Sequence, residues 1–170
     1  SNYLVEVYMN TRSYDAALKS INRIAHPGRA ILEAKQKILF QLGTQSFANT
    51  QFEQAIDYFN QSIALGQYNV QTKADAFYWR GESYYRLNRM QEAAAYLEGE
   101  HDFKSFCQTG AQVESTVRTI YSVEVEEQGE NDLVIRVCGN GFLYNMVRII
   151  AGTLLDIGQG RRDPMDIFTI

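Results

Sequence analysis

The sequence predicts an α+β protein in two parts: an α-helical repeat array over residues 1–97, then a partial α+β segment over 98–170 made of a β-hairpin and one helix. Three observations predict it. Ala17, Ala55 and Ala93 recur at an interval of 38 residues within aromatic-rich sequence of helical period. Residues 116–126 alternate apolar with polar side chains, the pattern of a half-buried strand, and the apolar run Leu133-Val134-Ile135-Arg136-Val137-Cys138 supplies a returning strand. From Phe142 onward Met146, Ile149, Ile150, Thr153, Leu154 and Ile157 return to helical spacing. The two grammars meet in Met90-Gln91-Glu92-Ala93-Ala94-Ala95-Tyr96-Leu97, which reads as the end of one and the start of the other.

The repeat is carried by more than its alanines. Tyr14, Phe52 and Met90 each stand three residues before the alanine, and Ile21, Phe59 and Leu97 each stand four after it. Each copy thus puts apolar, small and apolar residues on one helical face, with the small residue where another helix comes close. Gly43 and Gly81, twelve residues upstream of Ala55 and Ala93, supply a second small contact on the preceding helix. The first copy has only Leu4, Val5 and Tyr8 for its leading helix.

This pattern resembles the tetratricopeptide repeat, here as three helix–turn–helix units with a period of 38, longer than the family's usual 34 or so. The resemblance implies a scaffold that holds a peptide or protein partner in a concave groove. The family's groove positions fall on Lys37, Phe40, Thr44 and Phe47 in the second unit, and on Asp75, Tyr78, Glu82, Tyr85 and Arg86 in the third. The alternative for these aromatics is packing against neighbouring helices. Thr44 and Glu82 do not supply the Asn and basic groups with which some members clamp a terminal carboxylate.

Beyond residue 97 the elements follow in order. Gly99-Glu100-His101-Asp102-Phe103-Lys104-Ser105-Phe106 is too polar and broken for a repeat helix. The alternation at 116–126 gives a strand, the polar run 127–132 a turn, and 133–138 the returning strand of a hairpin. Gly139-Asn140-Gly141 breaks it, a helix is expected over 142–157, and Gly158 and Gly160 end that helix.

The segment of about 90–168 resembles the C-terminal part of a bacterial tRNA pseudouridine synthase of the A class, through the 99–106 stretch, Val117-Arg118-Thr119-Ile120, and the run from Gly139 to Leu154. That resemblance implies uridine isomerisation in an anticodon stem-loop, performed in the family by an aspartate in an Arg-Thr-Asp-x-Gly-Val-His motif. No such motif occurs here: Arg118-Thr119 precedes Ile120, and Arg162-Asp163 precedes Pro164. Arg148 matches the basic partner of that aspartate, with Asn145 and Gly152 expected on the same helix face, where Gly152 would permit close backbone approach. The site is therefore expected to be incomplete and the chain inactive alone.

Composition bounds the remainder. With 45% hydrophobic residues in 170, ordinary cores are affordable, and no apolar run approaches the about 20 residues of a membrane span. Cys107 and Cys138 match no metal spacing and are expected to be buried free thiols. With no basic-then-apolar leader at Ser1-Asn2-Tyr3, they favour a reducing, cytoplasmic setting. His26 and His101 stand alone, so neither a metal nor a cofactor is expected. Residues 1–97 carry a net charge of +2 and 98–170 a net charge of −6, so tRNA binding by the second part is expected to be weak. The open hairpin edge is expected to dock or to form a homodimer. Two other readings stand beside the scaffold: a synthase fragment completed by another chain, and a β-unit that only caps the helical array.

Overall fold

The structure, a computed structural model, describes residues 13–108, 112–129 and 132–169. It is α+β and mostly helical, with five α-helices and one three-stranded antiparallel sheet among the described residues. The helices are α1 (Tyr14–Asn22), α2 (Arg29–Ala48), α3 (Phe52–Ala64), α4 (Val70–Leu97) and α5 (Met146–Gly158). The strands are β1 (Gly99–Asp102), β2 (Val117–Gln128) and β3 (Asp132–Gly139). Backbone proximity divides the chain into two compact units, Ser1–Tyr84 and Tyr85–Ile170. Leu4, Val5 and Tyr8, the expected leading helix of the first repeat, lie outside the described residues.

In the first unit, α1 buries Ala17 and Ile21 against Ile31, Ile38 and Leu42 of α2. The chain then reverses through Thr50, which takes the left-handed backbone (φ 63°), while Gln51 N–H closes on Ser46 O at 2.9 Å. In α3, Ala55 and Phe59 are fully buried, and the Phe59 ring covers Gly43, where an added Cβ would lie 2.5 Å from it. Phe47 meets Trp79 edge-on at 5.2 Å, bringing the first half of α4 onto the pair.

A polar chain fixes where α4 begins. Asn69 Oδ1 accepts from Thr72 N–H at 2.9 Å, capping the helix, and Asn69 O accepts from the fully buried Gln36 Nε2 at 2.7 Å. Asn69 Nδ2 also donates to Glu33, which lowers that carboxyl's pKa; Lys37 adds to the effect.

Several expectations need correction. The third helix–turn–helix unit is absent as such: α4 runs unbroken for 28 residues through the place where a turn was expected, because nothing between Tyr85 and Met90 is Gly or Pro. Gly81 is exposed and has nothing within 4 Å of an added Cβ, so it is no helix contact. Gly99–Asp102 is a strand, paired antiparallel with 117–120. The last helix starts at Met146, and Phe142 lies outside it, 43% exposed. Cys107 is half-buried and Cys138 exposed.

In the second unit, β2 lies between β1 and β3. Its inner residues Ile120 and Val123, with Val125, Ile135 and Val137, cover Met146, Ile150, Leu154 and Ile157 of α5; Ala93, Ala94 and Leu97 at the end of α4 complete the core. A register shift between Ile120 and Ser122 keeps both Ile120 and Val123 inward although they are three residues apart.

Candidate functional site

The stretches that carry the second resemblance come together around the start of α5. Asp102 ends β1, and its Oδ1 accepts from Lys104 N–H at 3.0 Å and from the Thr116 hydroxyl, tying the 103–108 loop to the base of β2. Phe103 and Phe106, buried and edge-to-face at 5.9 Å, anchor that loop in the core. From its far end Gln108 N–H donates to Tyr144 O at 3.2 Å, and Asn145 Nδ2 donates to Gln108 Oε1.

Asn140 prolongs the sheet by one residue: its N–H donates to Thr119 O at 3.0 Å and its Oδ1 accepts from Thr119 N–H at 2.9 Å. Gly139 is required beside it, because a Cβ there would stand 2.7 Å from Thr119 O. Backbone cannot move aside as a flexible side chain can, so Gly139→Ala is expected to cost ~1–3 kcal/mol. Denaturant unfolding checks this, the midpoint shifting with an unchanged slope.

Asn145 takes the left-handed backbone (φ 59°), suited to Asn, and hands the chain into α5. One turn later Arg148 is exposed, and no carboxylate among the described residues forms an ion pair with it. A cation at a helix N-terminus gains nothing from the helix dipole, so helix stability does not account for it. Gly152 stands one turn further on, exposed, with open space where a Cβ would be. Before the helix Phe142 and Tyr144 are exposed, and Arg118, whose Nη1 donates to the carbonyls of Ser115 and Val117 at 2.8 Å, lies beside Gly141. No group of three or more metal-ligating side chains occurs among those residues.

The hydroxyl of Thr116 and, after it, the Lys104 N–H hold the Asp102 carboxyl below its ordinary value of 3.8. A depressed folded-state pKa contributes stability above the unfolded value and loses it as pH falls through the folded one. Asp102→Asn is therefore expected to flatten the fall in stability below pH 3.8, read from acid unfolding curves of both chains.

The residues expected to form a binding groove are placed as follows. Phe40 packs on Phe59 at 5.7 Å, and Phe47 meets both Phe52 and Trp79, so these two rings contribute to packing in the first unit. Thr44 donates its hydroxyl to Gln41 O, and Lys37 pairs with Glu33 at 3.4 Å. Tyr78 is 62% exposed, Glu82 is half-buried, and Asp75 accepts from Gln71 Nε2. In the second unit Tyr85 is 55% exposed and Arg86 lies over Gly160. Arg89 was missed by sequence reasoning. Its guanidinium pairs with Asp163 at 3.2 Å, donates to the Tyr85 hydroxyl and covers that ring, a long-range set that no local pattern announces.

Comparison with known proteins finds matches in two overlapping stretches of the chain. Residues 93–170 match the family model described as tRNA pseudouridine synthase, and residues 75–99 match one described as tetratricopeptide repeat. A tRNA pseudouridine synthase A of Brevibacillus brevis is 49% identical over 98 residues, covering 55% of this chain and 40% of the relative. Those of Anoxybacillus flavithermus and Ruminiclostridium cellulolyticum are 56% and 58% identical over 81 and 78 residues, covering 48% and 46% of this chain and 32% of each relative. The chain thus spans between a third and two fifths of the length of these relatives, and its C-terminal segment is similar to part of tRNA pseudouridine synthase A.

Proposed function

We propose that this chain is a protein-binding scaffold of tetratricopeptide type joined to a catalytically incomplete segment of a tRNA pseudouridine synthase. The observation that carries the reading is the coexistence of the match over 93–170 with a sequence that has no Arg-Thr-Asp motif. The α2–α3 pair is the complete repeat unit. Its support is the burial of the equally spaced Ala17, Ala55 and Ala93 together with the seat of Phe59 on Gly43. A peptide or protein partner would meet the exposed Tyr78 and the neighbouring Glu82. The setting is cytoplasmic; no helix among the described residues is long and apolar enough to cross a membrane.

One observation favours a second reading, in which another chain completes a synthase: Arg148 stands exposed and without an ion-pair partner among the described residues. Titration of the full chain with anticodon stem-loop RNA at two salt concentrations separates the two. The scaffold reading expects binding that is weak at the lower salt and has the shallow salt dependence of a few phosphate contacts on an acidic segment. Tight binding that survives the higher salt would favour the enzyme.

A further inference from the structure

The α2–α3 pair shows what covers one face of a repeat helix. Along α2, Leu39 and Gly43 are buried, with the Phe59 ring lying over Gly43. Phe40 meets the same ring at 5.7 Å, so the cover is α3, seated through its fully buried Ala55 and Phe59.

The 38-residue register puts Phe77, Tyr78 and Gly81 of α4 where α2 has Leu39, Phe40 and Gly43. Here the face is bare. All three are exposed, as are Val70, Ala74 and Tyr84 on the same side of the helix, and Gly81 has open space where a Cβ would be. None of the six is charged. An uncharged stripe with three aromatic rings along four helical turns is the face of a helix made to be covered, whereas a solvated face carries charge.

The residues that the register assigns to the cover serve elsewhere. Met90, Ala93 and Leu97 match Phe52, Ala55 and Phe59, but α4 runs straight on and buries all three, Ala93 and Leu97 in the core of the second unit. The missing cover is thus a helix that none of the described residues supplies.

A helix suits this face better than an extended peptide, which needs a sheet edge or an aromatic-lined groove. Phe77 and Tyr84 stand seven residues apart, the spacing at which a second helix repeats its own contacts, and Gly81 between them admits a large side chain. Lys73 and Arg80 flank the stripe, also seven apart, with Asp75 on the opposite flank. Arg80 donates to Asn60 Oδ1, a neutral amide that leaves its charge in place. Two cations along one flank favour a partner with an acidic edge, as α3 has in Glu53 and Asp57 with no basic residue from Phe52 to Ala64.

We propose that the bare face of α4 docks an α3-like amphipathic helix of a partner protein, which seats an aromatic side chain over Gly81 and lays its acidic edge along Lys73 and Arg80. This rests on the scaffold function proposed above and specifies the kind of partner.

Calorimetric titration of the full chain with a synthetic helical peptide copying residues 51–64, stapled on its outer face, tests this. Saturable binding is expected, weakened about tenfold or more by Phe59→Ala within the peptide. Gly81→Gln in the chain is expected to weaken it as much, while circular dichroism shows the fold retained, since the new side chain enters open space and replaces a helix-weakening glycine. An unstapled peptide with proline at position 55, which cannot stay helical, is expected not to bind. Binding that Gly81→Gln leaves unchanged overturns the proposal, as does equal binding of the proline peptide, which makes the ligand extended; in both cases the scaffold reading stands. If neither peptide binds, the proposal falls, whereas failure of the scaffold reading shows in the RNA titration above. A dimer of the free chain that Gly81→Gln dissociates makes a second copy the occupant and likewise overturns it.

Discussion

Phe59→Ala is expected to lower the stability of the first unit by ~3–5 kcal/mol, the cost of removing a fully buried ring from a site that cannot collapse. The ring lies over Gly43 and touches Phe40 at 5.7 Å, and both neighbours belong to one helix, α2, whose backbone cannot close the gap. The same geometry gives a coupled test. In the parent, Gly43→Ala drives a Cβ to 2.5 Å from the ring and should destabilise; once Phe59 is Ala the new methyl enters empty space. The double mutant is thus expected to be more stable than the two single effects summed, a non-additivity reserved for residues in contact. Amide exchange in residues 29–64 reads it locally.

Leu154→Ala carries the second large effect, ~2–5 kcal/mol, in the second unit. Leu154 is fully buried on α5 among Ile150, Ile157 and the inner face of the sheet. Three strands and a few helical turns form a small core, so losing one of its fully buried side chains removes a large share of the burial that holds the hairpin. Exchange of the β2 and β3 amides is expected to accelerate together, whereas Val147→Ala, on the exposed side of the same helix, should change little.

Much of this architecture was legible in sequence, and the misses have physical causes. Alternation in 116–126 marked the first hairpin strand because one face is buried and the other wet, and the apolar run 133–138 marked the second; the structure places them at Val117–Gln128 and Asp132–Gly139. β1 escaped because a four-residue polar strand has no apolar rhythm; pairing with 117–120 alone makes it a strand. A third helix–turn–helix unit requires a turn, and the 38-residue register puts Asn88 where the second unit has Thr50. Thr50 does adopt the left-handed backbone, but Asn88 stays helical, since nothing there stops propagation and the following Met90, Ala93 and Leu97 are buried further along the same helix. Phe142 fitted the helical stripe by spacing, yet the left-handed Asn145 starts α5 after it. For the candidate site, Arg148 and Asn145 were named from motif alone, while the contacts that assemble the loops around them, Asp102 to Thr116 and Gln108 to Tyr144 and Asn145, join residues 14 to 37 apart and have no local signature.

The central claim is that a synthase-like segment is present here without a nucleophile of its own. Pseudouridine formation in unmodified bacterial tRNA by the purified full chain, quantified by mass spectrometry after nuclease digestion, tests it most directly. The account predicts no pseudouridine above that in tRNA incubated without the chain. Turnover by the chain alone, abolished by Arg148→Ala, would contradict it.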